Sequence, residues 1–373
     1  MSRRAAIKGA AGVAALAGLA ARVGMARADT GAVDTSAKAA GFFVPDEAHP
    51  HERTFMQWPV SRTVYGGGRF LARVQDAIAD LANTISAFEP VVMLAEAAHH
   101  GDLRTRLSNA IDLWDIPTDD LWCRDSGPVF VINGRGGLGV THLNFNGWGG
   151  KQVHREDGQI ARRVAERLRL ELFDNGLVGE GGGIEQDGDG TLLAHASSWV
   201  NPNRNSGTRD EIGDLLCDTF GADRVIWAPG LIGEDITDYH IDALARVIAP
   251  GRVLIQLPER VIDGDPWSAA AYETFDVLAM ATDARGRSLN ITVIPDPINI
   301  RVGSPDFVAS YANYYVCNGG VICAEFGDPD TDTEVVQALA ALYPDREVVA
   351  LNADMLGRIG GGIHCATQQQ PMA

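Results

Sequence analysis

Residues 310–353 read "SYANYYVCNGGVICAEFGDPDTDTEVVQALAALYPDREVVALNA", and this stretch contains every element of one structural unit. Apolar residues alternate on both sides of Asn318-Gly319, a pattern that predicts a β-hairpin. Apolar residues at helical spacing follow Thr333, which we expect to cap a helix that ends before Pro344. A strand over 346–353 then leads into the polar loop "GGGIHC". The predicted unit is therefore strand, strand, helix, strand and loop.

The same order of elements can be traced four more times upstream of this stretch. Each predicted unit ends in a polar loop, and the five loops carry Asp125, Glu180, His240, Asn299 and Cys365. Units of this size cannot each bury an apolar face alone, so they must pack against one another. We expect an α/β fold in which five ββαβ units surround an axis. Such an arrangement would bring four of the five residues, all except Asn299, to one end of that axis.

A doubly wound parallel sheet is the alternative, because strands that alternate with helices are also typical of that fold. Two features disfavour it. No GxGxxG turn joins a predicted strand to a predicted helix, as it does in the dinucleotide-binding version of that fold. The Asn318-Gly319 hairpin also places two consecutive strands side by side. We therefore predict the arrangement of five units.

The first 28 residues are typical of an export signal rather than of a folded domain. Paired arginines and an apolar run too short to span a bilayer precede an Ala-Arg-Ala site at 26–28. This pattern indicates the twin-arginine route, which transports folded proteins. We therefore expect a protein of the bacterial periplasm or a secreted protein, with a linker over 29–45 and a single catalytic domain over 46–373.

The chain is strongly acidic, with a formal net charge of −18. The signal carries five basic residues and no acidic ones, so its removal would lower the charge to −23. A field of this sign disfavours nucleic acid and anionic membranes and attracts small cations. The alternative is that the acidic surface only keeps the protein soluble. We expect a cationic small-molecule partner, no nucleic acid and no membrane partner after signal cleavage, and we leave a homo-oligomer open.

The five cysteines do not indicate a metal site or a redox motif, because no pair has CxxC spacing. Cys317 and Cys323 fall within apolar alternation, where buried structural thiols are expected. Cys365 differs because it follows three glycines, which let a backbone approach a ligand closely. The alternative for Cys365 is an incidental, half-buried thiol. On an extended segment His364 would face away from Cys365, so it is an unsuitable general base.

His240 and Asp242 lie two residues apart in "DYHID", so on a strand both side chains would face the same way. A neighbouring carboxylate would hold one tautomer of the imidazole and raise its pKa. The alternative is a structural histidine. The nearby aspartate and the position in the repeat favour a functional one.

Two further loops supply carboxylates. Asp125 stands in "LWCRDSGPVFV", where Trp122 anchors the segment, and Glu180 precedes a second glycine triplet at 181–183. Arg124 could simply pair with Asp125, and this alternative stays open. A thiol, an imidazole and several carboxylates without metal-site spacing indicate nucleophilic catalysis on a cationic carbon. A planar guanidinium is the cation that carboxylates bind in pairs.

The motifs around these residues resemble the agmatine deiminase family. That family belongs to the guanidine-modifying enzymes of five-bladed α/β-propeller fold, which include arginine deiminases and bacterial peptidylarginine deiminases. The resemblance extends from "HERTFMQWP" at 51–59 to the C-terminus. It rests on "WCRDSGPVFV", "NFNGWGGK", "GEGGGIEQDGDGTLL", "NPNRN", "HIDALARV", "NGGVICAEFGDP", "YPDREVV" and "GGGIHCATQQQP".

The resemblance implies the roles of the candidate residues. Cys365 would be the nucleophile and His240 the general acid and base, with Asp242 holding both His240 and a substrate nitrogen. The substrate-binding residues would be Asp125, Glu180, Asp242 and Trp122. The implied reaction hydrolyses agmatine to N-carbamoylputrescine and ammonia through a thiouronium on Cys365. No metal and no organic cofactor are implied.

Three positions depart from the family pattern. Tyr239 stands where glycine usually precedes the histidine, and Gly183 and Glu185 stand where serine and histidine are usual. The segment "VSRTVYGGGRF" also differs from the one that contacts the substrate tail in agmatine deiminases. Peptidylarginine is therefore an alternative substrate. Two further functions stay open: binding of cationic guanidines without turnover, and hydrolysis of amides by the cysteine.

Overall fold

The elements of the fold are taken from a computed structural model, which describes residues 35–304 and 306–373. The strands are β1 (His51–Gln57), β2 (Val91–Ala95), β3 (Asp112–Asp115), β4 (Val129–Ile132), β5 (Leu138–Thr141), β6 (Glu171–Phe173), β7 (Ile184–Gln186), β8 (Thr191–His195), β9 (Arg224–Ala228), β10 (Ala245–Ala249), β11 (Arg252–Leu257), β12 (Asn290–Pro295), β13 (Tyr315–Cys317), β14 (Gly320–Glu325), β15 (Glu347–Asn352) and β16 (Gln368–Pro371). The helices are α1 (Arg62–Tyr65), α2 (Gly68–Ile85), α3 (His100–Arg106), α4 (Cys123–Ser126), α5 (Gly147–Gly150), α6 (Ile160–Leu168), α7 (Ala196–Trp199), α8 (Arg209–Phe220), α9 (Pro266–Met280), α10 (Pro329–Leu342) and α11 (Asp354–Arg358). Short 3₁₀ turns occur at Ala97–His99, Asp157–Gln159, Gly181–Gly183, Ile241–Ala243 and His364–Ala366.

The strands form five separate sheets of mixed direction. Four sheets have three strands each, in the orders β4-β5-β6, β7-β8-β9, β10-β11-β12 and β13-β14-β15. In each of these four, the first pair is antiparallel and the second pair is parallel. The fifth sheet, β16-β1-β2-β3, joins the C-terminal strand to the first one. Within the described ranges no sheet exceeds four strands, so the doubly wound parallel sheet is excluded.

The four three-stranded sheets have the predicted order of strand, strand, helix and strand, whereas in the four-stranded sheet β16 supplies the first strand and β3 is an additional strand. A long helix connects the two parallel strands in every case: α2, α6, α8, α9 or α10. Parallel neighbours require such a crossover because the chain must return to the opposite end of the sheet. The loops that follow β6, β9, β12 and β15 are therefore equivalent in the repeat, whereas the loop with Asp125 follows the additional strand β3.

The last unit shows how local sequence sets these elements. β13 and β14 pair in an antiparallel hairpin around Asn318-Gly319, as predicted. Helix α10 ends at Leu342, before Pro344, but it begins at Pro329 rather than after Thr333. Proline is well suited to the first helical turn, where its missing N–H is not needed for the helix. The apolar spacing therefore predicted this helix correctly but placed its start too late.

Buried apolar residues tie the loops to the sheets. Helix α2 buries Val74, Ile78, Leu81 and Ile85, which lie on one face at helical spacing. The largest core cluster joins this face to the β13–β14 hairpin and to residues on both sides of the Cys365 loop. Cys317 and Cys323, also in this cluster, are fully buried as expected. The C-terminal loop is thus anchored on the core although its own glycines contribute little to it.

The N-terminal segment contributes to the core as well. In the described part of the expected linker, residues 35–45, Ala37 and Val44 belong to a buried apolar cluster and Phe43 forms a backbone bridge with Ile132. The expected export signal lies outside the described residues. Within the described ranges, no helix is long and apolar enough to cross a membrane.

Candidate active site

Four of the predicted loops meet at one place. His240 Nε2 lies 3.2 Å from Glu180 Oε2, and His240 Nδ1 lies 3.6 Å from Asp125 Oδ1. Cys365 Sγ lies 3.5 Å from Asp242 Oδ2. The structure therefore brings together five of the six side chains expected to react with or bind the substrate, all except Trp122 being linked by these contacts.

The fifth loop residue, Asn299, does not join them. It is exposed, and its backbone N–H donates to Asp328. Asn313, from the segment before β13, takes a place beside the thiol instead. Its Nδ2 donates to Cys365 Sγ at 3.2 Å, and its Oδ1 accepts from the Cys365 backbone N–H at 3.2 Å. Asn313 thus fixes both the backbone and the sulfur of the candidate nucleophile.

Asp125 is held by donors from two other loops. The Trp148 indole N–H donates to Oδ2 at 2.9 Å, and the Gly182 backbone N–H donates to Oδ1 at 3.0 Å. Arg124 pairs with Glu47, so the alternative in which it neutralises Asp125 does not hold. Burial raises the pKa of Asp125, and the nearby His240 partly offsets this rise. The resulting pKa is about 6. Asp125 is therefore a carboxylate that titrates close to neutrality.

His240 contacts the carboxylates of Asp125 and Glu180 and lies within the electrostatic influence of Asp242. Burial lowers its pKa, but Asp125, Glu180 and Asp242 outweigh that effect and raise it to about 9. An imidazole with this pKa carries a proton at neutral pH. His240 is thus able to act as a general acid.

Cys365 rests as a thiol. Burial of the sulfur and the charges of Asp242 and Asp125 raise its pKa well above the usual value, and hydrogen bonds from Gly362 and Asn313 oppose this rise. The thiol donates to Asp242 Oδ2. A positive ligand between the sulfur and the two carboxylates would offset the cause of the raised pKa.

Asp242 does not hold His240, contrary to our expectation. Asp242 lies in a 3₁₀ turn, Ile241–Ala243, and His240 directly precedes that turn. The two side chains therefore do not lie on one face, as they would on a strand. Asp242 Oδ2 instead accepts a hydrogen bond from His364 Nδ1 at 2.8 Å. Its other oxygen, Oδ1, is buried and has no hydrogen-bond partner among the described residues. Burial raises the pKa of Asp242, but His364 and His240 outweigh it and lower the value.

Gly182 lies at the centre of these groups. A Cβ atom on Gly182 would lie 2.8 Å from Asp125 Oδ1, 2.8 Å from His240 Nδ1 and 3.0 Å from Asp242 Oδ2. Three polar atoms from two other loops thus point toward one small volume. Any side chain at position 182 would fill that volume.

Glu180 is shared between the imidazole and a buried arginine. Arg204 Nε donates to Glu180 Oε1 at 3.0 Å, and Arg204 Nη1 donates to Asp238 Oδ2. Only the second oxygen of Glu180 faces His240. Arg204 therefore orients Glu180 and offsets part of the negative charge of the site.

The residues that depart from the family pattern make buried contacts. Tyr239 adopts a positive φ of 72°, where glycine would be unstrained, and its ring packs 4.4 Å from His195 and 4.7 Å from Trp267 between ring centroids. Glu185 accepts from Arg246 Nε at 2.8 Å. Tyr65, in the variant segment before α2, is also buried and contacts Asp120.

The predicted substrate-binding residue Trp122 lies against the Cys365 loop, where a Cβ on Gly361 would come within 2.5 Å of its ring. Other contacting residues were missed by the sequence analysis: Glu47, Trp148, Arg204 and Asn313. Trp148 and Arg204 lie in the motifs "NFNGWGGK" and "NPNRN", so attention to every polar residue of those motifs would have found them. Glu47 and Asn313 carry no such local signal.

Within residues 35–304 and 306–373, no group of three or more His, Cys, Asp or Glu side chains is arranged to hold a metal ion. Fold and site together define a class of protein: mixed α/β chains of ββαβ units whose loops bring a thiol, an imidazole and carboxylates to one point. The chain belongs to the Porphyromonas-type peptidyl-arginine deiminase family, whose model matches residues 43–371.

Known relatives agree with this assignment and confirm the resemblance predicted from the motifs. The chain is 35% identical over 367 residues to the agmatine deiminase of Ectopseudomonas mendocina, which covers 90% of this chain and 97% of that protein. The solved agmatine deiminase of Enterococcus faecalis superposes with a TM-score of 0.83 at 29% identity, covering 91% of this chain and 99% of that chain. A C. jejuni agmatine deiminase solved with substrate bound has a TM-score of 0.78 at 22% identity, covering 88% and 96%, and supports the fold alone.

Proposed function

We propose that this protein is a hydrolase of linear amidines that converts agmatine to N-carbamoylputrescine and ammonia. Its relatives in Ectopseudomonas mendocina and Enterococcus faecalis are named agmatine deiminases. The observation that carries the proposal is the free carboxylate oxygen of Asp242, which is buried beside the Cys365 thiol. A buried carboxylate oxygen without a partner is costly, so it needs a donor that arrives with a ligand. A guanidinium supplies both the N–H groups and the positive charge.

The reaction begins when Cys365 Sγ attacks the guanidinium carbon. The bound cation offsets the carboxylates that raise the pKa of the thiol, so in the complex the sulfur can lose its proton to water. Protonated His240 then gives its proton to the departing nitrogen. The carbon–nitrogen bond breaks, ammonia leaves, and the carbon stays bound to sulfur as a thiouronium.

Hydrolysis of the thiouronium completes the cycle. Neutral His240 takes a proton from water, and the water oxygen attacks the same carbon. The carbon–sulfur bond breaks, the hydroxyl formed from water gives its proton to the departing sulfur, and the ureido product leaves with His240 again protonated and Cys365 again a thiol. Asp125 and Asp242 bind the guanidinium nitrogens in both steps, while Glu180 holds His240.

Peptidylarginine is the second candidate substrate. It is favoured by the family to which the chain belongs, the Porphyromonas-type peptidyl-arginine deiminases. The variant segment with Tyr65 also supports this candidate, because it replaces the one that contacts the substrate tail in agmatine deiminases.

The test is turnover by purified wild-type protein, Cys365→Ala and the matched control Cys217→Ala, whose half-buried thiol lies on α8. Each is incubated with agmatine, arginine and an arginine peptide, and ammonia and ureido product are measured. We expect turnover by the wild type and Cys217→Ala. Cys365→Ala should bind agmatine in calorimetry without turnover. Turnover by Cys365→Ala would refute the mechanism, and binding without turnover by the wild type would favour a silent guanidine binder.

We further propose that the five units close into a five-bladed propeller. The pairing of β16 with β1 places the last strand in the sheet of the first unit, as closure of a ring would require. Loops from four of the five units also come together at one site, and this supports the same arrangement. A crystal structure in which the five sheets do not share an axis would contradict it.

Export by the twin-arginine route is also a proposal. It rests on the paired arginines and the Ala-Arg-Ala site of the first 28 residues. The test is fractionation of cells that express the full chain or its R3K/R4K variant. We expect the wild type in the periplasm or medium with a new N-terminus after Ala28, and the variant in the cytoplasm. Unprocessed wild type in the cytoplasm would refute export.

A further inference from the structure

His364 lies between two buried carboxylates. Its Nδ1 is 2.8 Å from Asp242 Oδ2, and its Nε2 is 2.7 Å from Glu47 Oε2. All three side chains are almost fully buried. A ring nitrogen can donate to a carboxylate only when it carries hydrogen, so two such contacts require the doubly protonated imidazolium. The charges along this chain therefore alternate: negative, positive, negative.

Glu47 anchors the chain at its far end. Arg246 Nη2 lies 2.9 Å from its Oε1, and the Val316 backbone N–H donates to the same oxygen at 2.9 Å. Arg124 Nη2 donates to Oε2 at 3.1 Å. Burial raises the pKa of Glu47, but Arg246, His364 and Arg124 outweigh it and hold the value well below the usual one. Glu47 is thus an ionised and tightly held partner for His364.

The near end of the chain is the catalytic region. Asp242 Oδ2 is occupied by His364 and by the Cys365 thiol, and this leaves Oδ1 as the free oxygen. Rotation of the Asp242 carboxylate would exchange the two oxygens, and the contact with His364 opposes that rotation.

We propose that His364 and Glu47 are positioning residues that hold the Asp242 carboxylate with one oxygen reserved for the guanidinium. This inference rests on the proposed function, because it assigns Asp242 Oδ1 to the substrate. His364 touches neither the substrate nor the leaving group and acts only through Asp242. The other charged groups around it are the guanidinium of Arg124, whose Nε lies 3.5 Å from the His364 carbonyl, and the Arg246–Glu185 pair beyond Glu47.

Two amides at position 364 separate positioning from simple space filling. The amide of asparagine can replace Nδ1 and donate to Asp242, whereas the longer glutamine can replace Nε2 and donate to Glu47. We expect H364Q to lower kcat/KM for agmatine roughly 10- to 100-fold, the effect of losing one hydrogen bond to a charged group. H364N should retain most of that activity. The matched control is H142Q, at a His–Asp pair outside the site, where Nδ1 lies 3.3 Å from Asp174 Oδ2.

Two further readouts follow the same variants. In a Cys365→Ala background, agmatine affinity should fall more for H364Q than for H364N. Below pH 6, kcat/KM should fall more steeply in H364Q than in the wild type, because Asp242 loses the partner that lowers its pKa and then titrates in addition to Asp125. Equal losses in both amide variants would overturn the inference, since a residue that only fills space predicts no difference.

The outcomes also separate this inference from the proposed function. A wild type that binds agmatine without turnover, with binding weakened by H364Q alone, would refute the proposed function and support the positioning role. A wild type that neither binds nor turns over guanidines would overturn both. If H364Q does not fold, E47D provides the second test, because its shorter side chain withdraws from His364. Wild-type kcat/KM in folded E47D would overturn the inference.

Discussion

Two glycine triplets border the site, and the first, at 181–183, packs directly against the reacting groups. It forms a 3₁₀ turn directly after Glu180, and its middle residue faces the reacting groups. A methyl group on Gly182 would lie 2.8 Å from Asp125 Oδ1, 2.8 Å from His240 Nδ1 and 3.0 Å from Asp242 Oδ2, closer than van der Waals contact allows. Glycine is present there because a side chain would collide with the three reacting groups.

The second triplet, at 360–362, permits close packing instead. A methyl group on Gly361 would lie 2.5 Å from the Trp122 ring, and one on Gly362 would lie 2.4 Å from Asn313 Oδ1. The loop therefore rests directly on an aromatic ring and an amide, and Asn313 in turn holds Cys365. Glycine is present there because the backbone must approach its neighbours.

The same sequence of three glycines therefore has two different structural roles in this protein. In the first triplet a side chain would displace the reacting groups. In the second it would displace the loop that carries the nucleophile. The two purposes predict different losses on substitution, in activity for the first and in stability for the second.

The largest effect is expected from Gly182→Ala. The added methyl group would displace three side chains of the site, and misplacement of reacting groups by about 1 Å costs roughly 10²-fold in rate. We expect at least that loss in kcat/KM for agmatine with little change in the unfolding midpoint. Gly101→Ala, at an open position of α3, is the control. Near-normal activity of folded Gly182→Ala would show that the three side chains keep their positions despite the added methyl group.

The next effect is on pH dependence, and it comes from the groups that face the first triplet. Activity requires ionised Asp125, whose pKa is about 6, and protonated His240, whose pKa is about 9. Activity should therefore fall as pH drops through 6 and again as pH rises through 9. The measurement is kcat/KM for agmatine across this range, which reports the free enzyme. An acid limb near the ordinary aspartate value would contradict the assignment to Asp125.

Gly361→Ala should act mainly on stability. The Trp122 ring is rigid and buried, so the clash must be relieved by movement of the loop. Overpacking of this kind costs about 1–3 kcal/mol. Urea unfolding of the Cys365→Ala protein with and without the substitution measures the loss. An unchanged midpoint together with a large loss of activity would remove the distinction between the two triplets.

The smallest effect is expected from Gly360→Ala. No atom lies within 4 Å of the added methyl group, but φ is 95°, a conformation that other residues rarely adopt. The strain is worth about 1–2 kcal/mol, with kcat/KM close to that of the wild type. The same urea experiment measures it. A loss of stability as large as that of Gly361→Ala would indicate that backbone strain, rather than packing, explains the second triplet.

Much of the fold could be predicted because its causes are local. Apolar periodicity and the Asn318-Gly319 turn predicted the last unit, and the repeat extended that prediction to the other four. The errors arose where local signals compete. Pro329 moved the start of α10, and a 3₁₀ turn replaced the expected strand around Asp242.

By itself, the sequence determined the order of the elements and the five reactive residues, because hydrogen-bonding patterns, glycine clusters and chemical types are readable along the chain. Only the tertiary structure decided which groups touch. Asp242 binds a histidine 122 residues away, and that histidine binds Glu47, 317 residues away. Contacts at such separation depend on how the five units pack and on the direction of each buried side chain. No local sequence pattern predicts how the units pack or in which direction a buried side chain points.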